Sequence, residues 1–548
     1  MRSAEQAFNR RDFLEACGVS AVGALLGPGL LRAADGATPP NVVVILLDDA
    51  GYSDFGFMGA EIETPAMDRL ARNGVLLTQF YNNAQCVPTR GSLLHGMSAH
   101  GCGYGTMRSH PNPKSLTGDD AYVPLRRGVV SIAEALSPQG YQTYAIGKWH
   151  LGGAPGLQPL DRGFQRFYGF LSGASQFSKE KLSAERVKNA GWRLDATPLD
   201  YDKDFPAGFY ATDAFTDHAI EFVKAGKRDA PFFLYLAYNA PHWPLEAPDE
   251  LVAKYQKIYA NADWQALRRR RFEQQKALGL LPASAALPEP WPRSLLETPE
   301  ERAKNAQSMA TYAAMIERVD HNVARLMKAL EKRGGLDNTL VFLLSDNGAD
   351  TVHGDGWMQV NNAPFRLCKT FAHEGGGRTP LVACWPARLP AGKVNTRQYG
   401  HVQDLLPTIL AAAGATLPEN NPRGEVARPL EGQSILPALL DPASARNRPL
   451  AFERMGNEMI RDGDWKLVRR FNFELEDKKR GALFHTTGSR KGQWELYHLA
   501  DDPTETRDLA AGRPDKVAEL SALYEAWAKR VGVIDREIQS KAENTTKE

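Results

Sequence analysis

Residues 41–49 read Asn-Val-Val-Val-Ile-Leu-Leu-Asp-Asp. The first seven form a continuous apolar run rich in β-branched side chains, which is typical of a parallel strand buried on both faces of a sheet. Similar apolar runs occur at Tyr141–Ile146, Phe232–Tyr238 and Thr339–Leu344. Helical patterns lie between these runs, and the clearest spans Met309–Leu330. Strands that alternate with helices predict an α/β fold, in which helices cover both faces of a large, mostly parallel sheet.

The C-terminal part of the chain shows a different pattern. Short strand-like pieces occur at Trp465–Arg469 and Trp494–Leu499, and an amphipathic helix follows them. We therefore expect a smaller α+β domain with a short antiparallel sheet and a closing helix. The predicted organisation is a leader over residues 1–34, a catalytic domain over 40–415, a linker over 416–436 and the smaller domain over 437–548.

Composition excludes several classes of protein. The chain has 548 residues, with 66 Lys and Arg against 65 Asp and Glu, so its formal net charge is +1. This balance gives no overall attraction to nucleic acid or to an anionic membrane. An anionic ligand must then be held by a local cluster of cations. Five cysteines are too few for a disulfide scaffold in a chain of this length.

The N-terminus has the layout of an export signal. Arg10 and Arg11 precede an apolar run from Ala16 to Leu31, which small residues follow. The paired arginines predict a twin-arginine signal, export by the twin-arginine machinery, and a periplasmic or secreted protein. The alternative is an amphipathic helix with two incidental arginines. The rest of the sequence predicts no permanent membrane span.

Polar side chains capable of chemistry follow the four apolar runs. Because ligands bind beyond the carboxyl ends of strands in an open parallel sheet, we expect these side chains to lie together. Carboxylate and amide oxygens suit Ca²⁺ or Mg²⁺, and the cationic groups suit a substrate with negative oxygens. Taken singly, each Asp could instead cap a helix and each His could be structural. The side chains are Asp48, Asp49, Lys148, His150, His242, Asp346 and Asn347.

Cys86 stands out among the cysteines because Pro88 and Arg90 follow it. Pro88 suits the first turn of a helix, so Cys86 is predicted at the positive end of a helix dipole. A thiolate at that place is a candidate nucleophile. The alternative is a buried structural cysteine.

The segment Cys86-Val87-Pro88-Thr89-Arg90 resembles the signature of the type I, formylglycine-dependent sulfatases of the alkaline phosphatase-like superfamily. The resemblance covers about residues 40 to 530 and is greatest to the bacterial aryl/alkylsulfatase branch. Other segments agree with the family at matching positions. They are Asp48-Asp49, Gly147–Gly152, Ala240-Pro241-His242, Ser345–Gly348, and Arg366–Lys369 followed by Glu374-Gly375-Gly376.

The resemblance implies a reaction and a cofactor. Cys86 would be converted to Cα-formylglycine by a maturation enzyme, and one hydroxyl of its hydrated aldehyde would attack the sulfur of a small sulfate ester. The second hydroxyl would then lose its proton, and the re-forming carbonyl would expel sulfate. One Ca²⁺ per chain, or less favourably Mg²⁺, would be held by Asp48, Asp49, residue 86, Asp346 and Asn347.

The family also implies roles for the cationic residues. Arg90 would steady residue 86, and His150 would take the proton of its hydrated form. Lys148 and Lys369 would hold sulfate oxygens, and Lys369 with His242 would assist the leaving oxygen. The expected reaction is hydrolysis of an aryl sulfate to a phenol and inorganic sulfate.

Other functions remain open on the sequence. An alkyl or carbohydrate sulfatase, or a phosphonate or phosphodiester hydrolase, would use the same geometry. A sulfated-glycan binding protein would leave Cys86 unmodified. The run Arg268–Arg271 could bind an anionic polymer, although such a run more often forms a solvated helix face, which we expect here.

Overall fold

The strands of the protein fall into three sheets. The computed structural model describes residues 38–105, 125–445, 447–474 and 485–533, so the predicted leader lies outside the described residues. Numbered along the chain, the strands are β1 (Asn41–Leu47), β2 (Val75–Tyr81), β3 (Gln142–Lys148), β4 (Arg166–Phe170), β5 (Trp192–Leu194), β6 (Thr197–Pro198), β7 (Phe232–Ala237), β8 (Thr339–Ser345), β9 (Arg378–Cys384), β10 (Lys393–His401), β11 (Leu450–Arg454), β12 (Asn457–Asp462), β13 (Trp465–Arg469), β14 (Phe471–Glu474), β15 (His485–Lys491) and β16 (Glu495–His498).

The largest sheet has ten strands in the order β10-β2-β9-β8-β1-β7-β3-β4-β5-β6. Its centre is parallel, since β1 pairs in parallel with both β7 and β8, and β3 pairs in parallel with β7 and β4. Strand β9 runs antiparallel between β8 and β2. This insertion and the antiparallel edge strands β5 and β6 make the sheet mixed. The insertion also places β2, the strand that leads to Cys86, on the far side of β9.

Helices cover the sheet. The longest, Pro299–Arg333, ends at Gly334, whose φ of 81° lies in the left-handed region that glycine adopts without strain. The α-helices are α1 (Pro65–Arg72), α2 (Cys86–His95), α3 (Ala99–Cys102), α4 (Ile132–Leu136), α5 (Ala184–Ala190), α6 (Tyr201–Asp204), α7 (Ala211–Ala225), α8 (Asp249–Tyr259), α9 (Trp264–Ala277), α10 (Pro299–Arg333), α11 (Asp355–Asn361), α12 (Glu374–Gly377), α13 (Leu405–Ala413), α14 (Leu436–Leu440) and α15 (Pro514–Val531).

The apolar run of β1 contributes to the core on both faces of the sheet. Val43, Ile45 and Leu47 belong to one apolar cluster, which includes side chains of α1, α7 and α10. The alternate residues of β1 belong to a second cluster, which includes side chains of α2, α4 and α13. Both faces are therefore covered, which is why the strand has no polar alternation.

A second sheet lies in the C-terminal part, in the antiparallel order β11-β12-β13-β16. Helix α15 packs on it through Leu520 and Tyr524, which share an apolar cluster with Ile460 and Leu467. The predicted fold class, a large mostly parallel sheet between helices with a smaller antiparallel sheet and a closing helix, is confirmed. Among the described residues, no helix is both long and apolar enough to cross a bilayer.

The arginine run in α9 differs from the expectation. Arg269 and Arg270 are exposed, but Arg268 and Arg271 are buried. Helix periodicity explains the difference, because residues three apart lie on the same face. Arg271 pairs with Asp54 and with Glu61, each at a closest approach of 2.8 Å or less. The prediction of a fully solvated face was wrong for this half of the run.

Candidate active site

Strand register brings the acidic residues together. Leu47 of β1 lies opposite Ser345 of β8, so the next residues, Asp48 and Asp346, leave the sheet side by side. The backbone N–H of Asp49 donates to Asp346 Oδ1 at 3.2 Å. All three carboxylates are buried. Acidic residues directly follow two neighbouring parallel strands, and parallel strands end at the same edge of the sheet. These residues therefore form one acidic cluster at that edge.

Asp48 is surrounded by cations. The Lys148 ammonium, at the end of β3, contacts Asp48 Oδ2. Arg90 Nη2 lies 3.5 Å from the same oxygen and donates to Asp346 Oδ2 at 2.9 Å. Arg90 Nη1 also donates to the backbone carbonyl of Lys148 at 2.9 Å. The guanidinium thereby ties α2 to the ends of β3 and β8.

Asp49 forms the other half of the cluster. Lys369 Nζ lies 2.8 Å from its carboxylate, and His242 Nε2 lies 3.7 Å from Asp49 Oδ2. Asn347 Nδ2 donates to Asp49 Oδ1 at 2.6 Å. Asp49 has a φ of 68°, which a side chain other than glycine rarely adopts. The strained backbone turns the carboxylate away from the strand direction and toward Lys369.

Cys86 begins helix α2, as predicted, and is 2% exposed. It follows the turn after β2, in which Ala84 has a φ of 55°. Burial raises the pKa of the Cys86 thiol, and the nearby Lys148 and Lys369 offset only part of this effect. An unmodified thiol at this place therefore stays protonated at neutral pH.

Burial and neighbouring charges also shift the pKa values of other ionisable groups in the site. Burial alone would raise the pKa of Asp48, but Lys148, His242 and Arg90 hold it below the usual carboxyl range. Burial and the charge of Asp48 raise the pKa of Asp346 to about 7. Burial and Lys148 lower the pKa of both His150 and His242. Both imidazoles are therefore neutral at pH 7 in this arrangement.

The donor set fits a hard divalent cation. Asp48 Oδ1 and Asn347 Oδ1 are buried, and neither accepts a hydrogen bond from any described residue. Such oxygens are costly to bury unless a partner reaches them. Ligand atoms of Asp48, Asp49 and His242 lie within 4.8 Å of one another. Carboxylate and amide oxygens match Ca²⁺ or Mg²⁺ better than a metal that prefers thiolates.

All the residues selected from the sequence therefore reach one region, although from different elements. They are Asp48, Asp49, Cys86, Arg90, Lys148, His150, His242, Asp346, Asn347 and Lys369.

Sequence reasoning missed two contributors. Asp350 Oδ2 lies 3.6 Å from Lys369 Nζ. Burial alone would lower the pKa of Lys369, but Asp49 and Asp350 raise it well above its usual range. Gly173 approaches the His150 ring so closely that an added Cβ would lie 2.5 Å from Nε2. The spacing of Asp350, four residues after Asp346, was a usable signal. Gly173 had none, because its role depends on a distant segment.

The chain is similar to known proteins over most of its length. A family model described as Sulfatase matches residues 40–415. An uncharacterized sulfatase of Schizosaccharomyces pombe is 31% identical over 557 residues, which cover 92% of this chain and 96% of its own. The arylsulfatase of Klebsiella aerogenes is 31% identical over 451 residues, which cover 75% of this chain and 93% of its own.

The fold is also similar to a solved structure. The crystal structure of Ps i-CgsB in complex with k-i-k-neocarrahexaose superposes with a TM-score of 0.64 and 27% identity. The similarity covers 90% of this chain and 93% of that chain.

Proposed function

The chain belongs to the sulfatase family and is a sulfuric ester hydrolase; on that premise we propose that it cleaves aryl sulfates with a formylglycine made from Cys86. The observation that carries this proposal is the placement of Cys86 at the start of α2, among cations from two other segments and one from α2 itself. Lys148 and Lys369 both act on its thiol electrostatically, and Arg90 lies one helical turn along α2. A sulfate group placed against residue 86 would meet these cations.

The modification explains why a buried cysteine occupies this position. A thiol whose pKa is raised by burial is a poor nucleophile, because the reactive form is the thiolate. Formylglycine supplies a hydrated aldehyde, whose hydroxyl can act as the nucleophile and whose carbonyl can re-form afterwards. The Cys-x-Pro-x-Arg motif over residues 86–90 supports this assignment.

We assign the cation site to Asp48, Asp49, Asp346 and Asn347, together with residue 86. The unpartnered oxygens of Asp48 and Asn347 support this assignment, since they have no acceptor role among the described contacts. A bound Ca²⁺ would supply positive charge to a sulfate oxygen and to the nucleophile. Ca²⁺ is favoured over Mg²⁺ because the site offers several protein oxygens, and Ca²⁺ accepts a larger number of such ligands in a less strict geometry.

The cationic residues divide the remaining work. Lys148 and Lys369 are buried ammonium groups that would neutralise sulfate oxygens in a site of low dielectric. Arg90 orients residue 86 and holds Asp346 through paired hydrogen bonds of 3.1 and 2.9 Å. His150 is neutral by its lowered pKa, and its Nδ1 has no described hydrogen-bond partner, so it can accept the proton of residue 86.

Carbohydrate sulfate hydrolysis is the second candidate. The similarity to a sulfatase-fold structure solved with an oligosaccharide favours it, as does Trp243. The indole of Trp243 is 57% exposed and directly follows His242 in the chain. An exposed aromatic face suits either a phenol or a sugar ring. Activity on aryl sulfates and on sulfated monosaccharides must therefore be compared on the same preparation.

The test is to produce the full chain with a formylglycine-generating enzyme and determine the mass of the peptide that contains residue 86. We expect that peptide to have lost sulfur and gained oxygen, and the protein to hydrolyse aryl sulfates. Cys86→Ala should abolish turnover while leaving the thermal midpoint close to that of wild type. Cys102→Ala, at another buried cysteine, is the matched control and should stay active. An active Cys86→Ala protein would refute the mechanism.

We further propose export through the paired arginines of the leader. Arg10 and Arg11 precede the apolar run that supports this proposal. Replacing both by Lys should retain the protein in the cytoplasm, as measured by fractionation of the producing bacterium. Unchanged export would point to a different route.

A further inference from the structure

The loop that carries Lys369 has a strained backbone. Leu367 and Thr370, which flank Cys368 and Lys369, have φ values of 63° and 83°. Such a backbone conformation is unfavourable and persists only where its surroundings impose it. The position of the Lys369 ammonium therefore depends on what holds the loop in place.

Arg366 attaches the start of this loop to the C-terminal sheet. Its Nη1 donates to Tyr497 Oη at 2.8 Å, to the backbone carbonyl of Glu505 at 2.7 Å and to Glu495 Oε2 at 3.3 Å. Glu495 and Tyr497 lie on β16. His373, near the end of the loop, has its Nε2 at 3.3 Å from the same Glu495 oxygen. One carboxylate of the small sheet thus meets both ends of the loop.

Glu374 provides a second attachment. Lys466 Nζ, from β13, lies 2.6 Å from Glu374 Oε1 and 2.8 Å from Glu505 Oε1. The backbone N–H of Glu374 donates to Glu505 Oε2 at 2.9 Å. All three side chains are fully buried. Loss of Lys466 would leave two buried carboxylates without their shared cation, so this attachment is costly to break.

Between the two attachments, the loop touches the site. The backbone N–H of Thr370 donates to the carbonyl of Ala84, two residues before Cys86, at 2.7 Å. Lys369 Nζ lies 2.8 Å from Asp49. A shift of the loop would therefore move the ammonium relative to both the acidic cluster and residue 86. Misplacement by about 1 Å can cost about 100-fold in rate.

We propose that Arg366 is a positioning residue, through which the C-terminal sheet holds the Lys369 ammonium at the position relative to Asp49 and residue 86 that hydrolysis requires. The proposal rests on the proposed function, because it assigns Lys369 a part in that reaction. It gives the small sheet a role in catalysis without a contact to substrate. The partners of Arg366 lie 129 to 139 residues further along the chain, so these hydrogen bonds join the Lys369 loop to the C-terminal part of the chain.

The test compares Arg366→Met with Arg469→Met in the full-length, modified enzyme. Arg469 is the matched control, because it pairs with Glu458 inside the same small sheet. Arg366→Met should lower kcat for an aryl sulfate by about 10-fold to 100-fold with a smaller change in KM. Arg469→Met should keep kcat within about 2-fold of wild type, because the described partners of Arg469, Glu458 and Trp494, lie outside the Lys369 loop and the acidic cluster. Both variants should keep their thermal midpoints within a few degrees of one another.

A double-mutant cycle then separates positioning from general damage. In a Lys369→Ala background, adding Arg366→Met should change kcat by no more than about 2-fold, since the group it positions is gone. Hydrogen exchange adds a readout besides activity: amides of residues 366–377 should exchange faster in Arg366→Met and not in Arg469→Met. Full additivity in the cycle, or unchanged exchange, would overturn the proposal.

Tyr497→Phe covers the case in which Arg366→Met does not fold, because it removes one acceptor and no charge. Tyr497→Phe should lower kcat less than Arg366→Met does, and this loss should disappear in the Lys369→Ala background. An equal loss of kcat with and without Lys369 would reject the proposal. Wild-type enzyme that is modified at residue 86 yet inactive on sulfate esters would instead refute the proposed function. The exchange measurement still tests the attachment of the loop in that event.

Discussion

His242 and Lys369 approach the same carboxylate, Asp49, from different segments. His242 Nε2 lies 3.7 Å from Asp49 Oδ2, and its Nδ1 lies 2.5 Å from the backbone carbonyl of Trp243. The second contact requires a proton on Nδ1, so Nε2 is the nitrogen that faces the acidic cluster. Burial and the neighbouring Lys148 lower the pKa of the imidazole. A neutral imidazole with its proton on Nδ1 cannot donate from Nε2, so His242 can assist a departing oxygen only in its protonated form, which the neighbouring Asp49 and the negative charge of a bound sulfate ester favour.

The identity of the leaving group should show whether His242 has this role. An alkoxide or an unactivated phenolate needs its charge neutralised in the transition state, whereas a nitrophenolate largely carries its own. His242→Ala should slow unactivated esters by about 100-fold or more and nitrophenyl sulfate by under about 10-fold. Rates over phenols of different pKa provide the measurement, and the slope should steepen in the variant.

Two controls define the result. His321→Ala, on the exposed side of α10, should leave all rates unchanged. Asp48→Ala should slow all esters alike, because Asp48 acts on the sulfate end of the substrate. Equal slopes for wild type and His242→Ala would mean that His242 only packs in place.

Helix α9 holds the segment that follows the Asp48–Asp49 pair, through hydrogen bonds from Arg271. Arg271 Nη1 donates to Asp54 Oδ1 at 2.8 Å, and its Nη2 donates to Glu61 Oε1 at 2.7 Å. Tyr312 of α10 donates at 2.6 Å to Asp54 and contacts the backbone carbonyl of Asp49 at 2.8 Å. The segment that leads from the Asp48–Asp49 pair is thus fixed by a helix that lies more than 200 residues further along the chain.

Loss of Arg271 should be costly. Arg271→Met leaves Asp54 and Glu61 buried without their cation, so the free energy of unfolding should fall by about 3–5 kcal/mol. Arg270→Met, at the exposed neighbouring position, should change it by less than about 0.5 kcal/mol. Chemical denaturation of both variants at pH 7 measures the difference. Similar values for the two would show that the buried pair contributes little.

The same variant has a pH dependence with a defined sign. Burial would raise the pKa of Glu61, but Arg271 lowers it to about 2 from an ordinary value of 4.5. A depressed carboxyl pKa contributes stability above pH 4.5, and this contribution is lost as the pH falls toward about 2. The stability gap between wild type and Arg271→Met should therefore narrow below pH 4.5. A gap that widened on acidification would contradict this assignment.

At the scale of the whole molecule, the stability of the fold depends on buried charged groups that are contributed by both main sheets and the loops attached to them. The acidic cluster lies at the edge of the large sheet, and the loop that supplies Lys369 is attached to the small one. A cation that binds the native cluster and not the unfolded chain would stabilise the entire fold. At a free concentration about 100 times Kd, the gain is about 2.7 kcal/mol.

Removal of the metal should therefore be visible in thermal unfolding. Treatment with a chelator should lower the thermal midpoint, and Ca²⁺ should restore it. Elemental analysis should find about one hard cation per chain. Asn347→Ala should lose the response to Ca²⁺, whereas Asp320→Asn, at a buried acid that accepts from the backbone of α1, should keep it. Stoichiometric zinc in the purified protein, or a thermal midpoint that the chelator does not change, would refute the calcium site.

Local patterns were enough to predict the central strands and the groups at their ends. The unbroken apolar run over residues 41–47 implies helices on both faces, because a strand exposed on one side would alternate with polar residues. The positions of Asp48, Lys148, His242 and Asp346 follow from the same rule, since parallel strands end at one edge. The start of α2 at Cys86 followed from Pro88 and the helix dipole.

Other features depended on long-range contacts that leave no local pattern. The antiparallel insertion of β9 between β2 and β8, the burial of Arg271, and the attachment of Arg366 to β16 join segments far apart in the chain. At these positions the residue type does not determine burial. An arginine in a charged helix is predicted to be exposed, because the sequence does not show that the fold places a carboxylate opposite it. Strand ends and helix starts are encoded by neighbouring residues, whereas the pairing of buried charges is set by which elements the folded chain packs together.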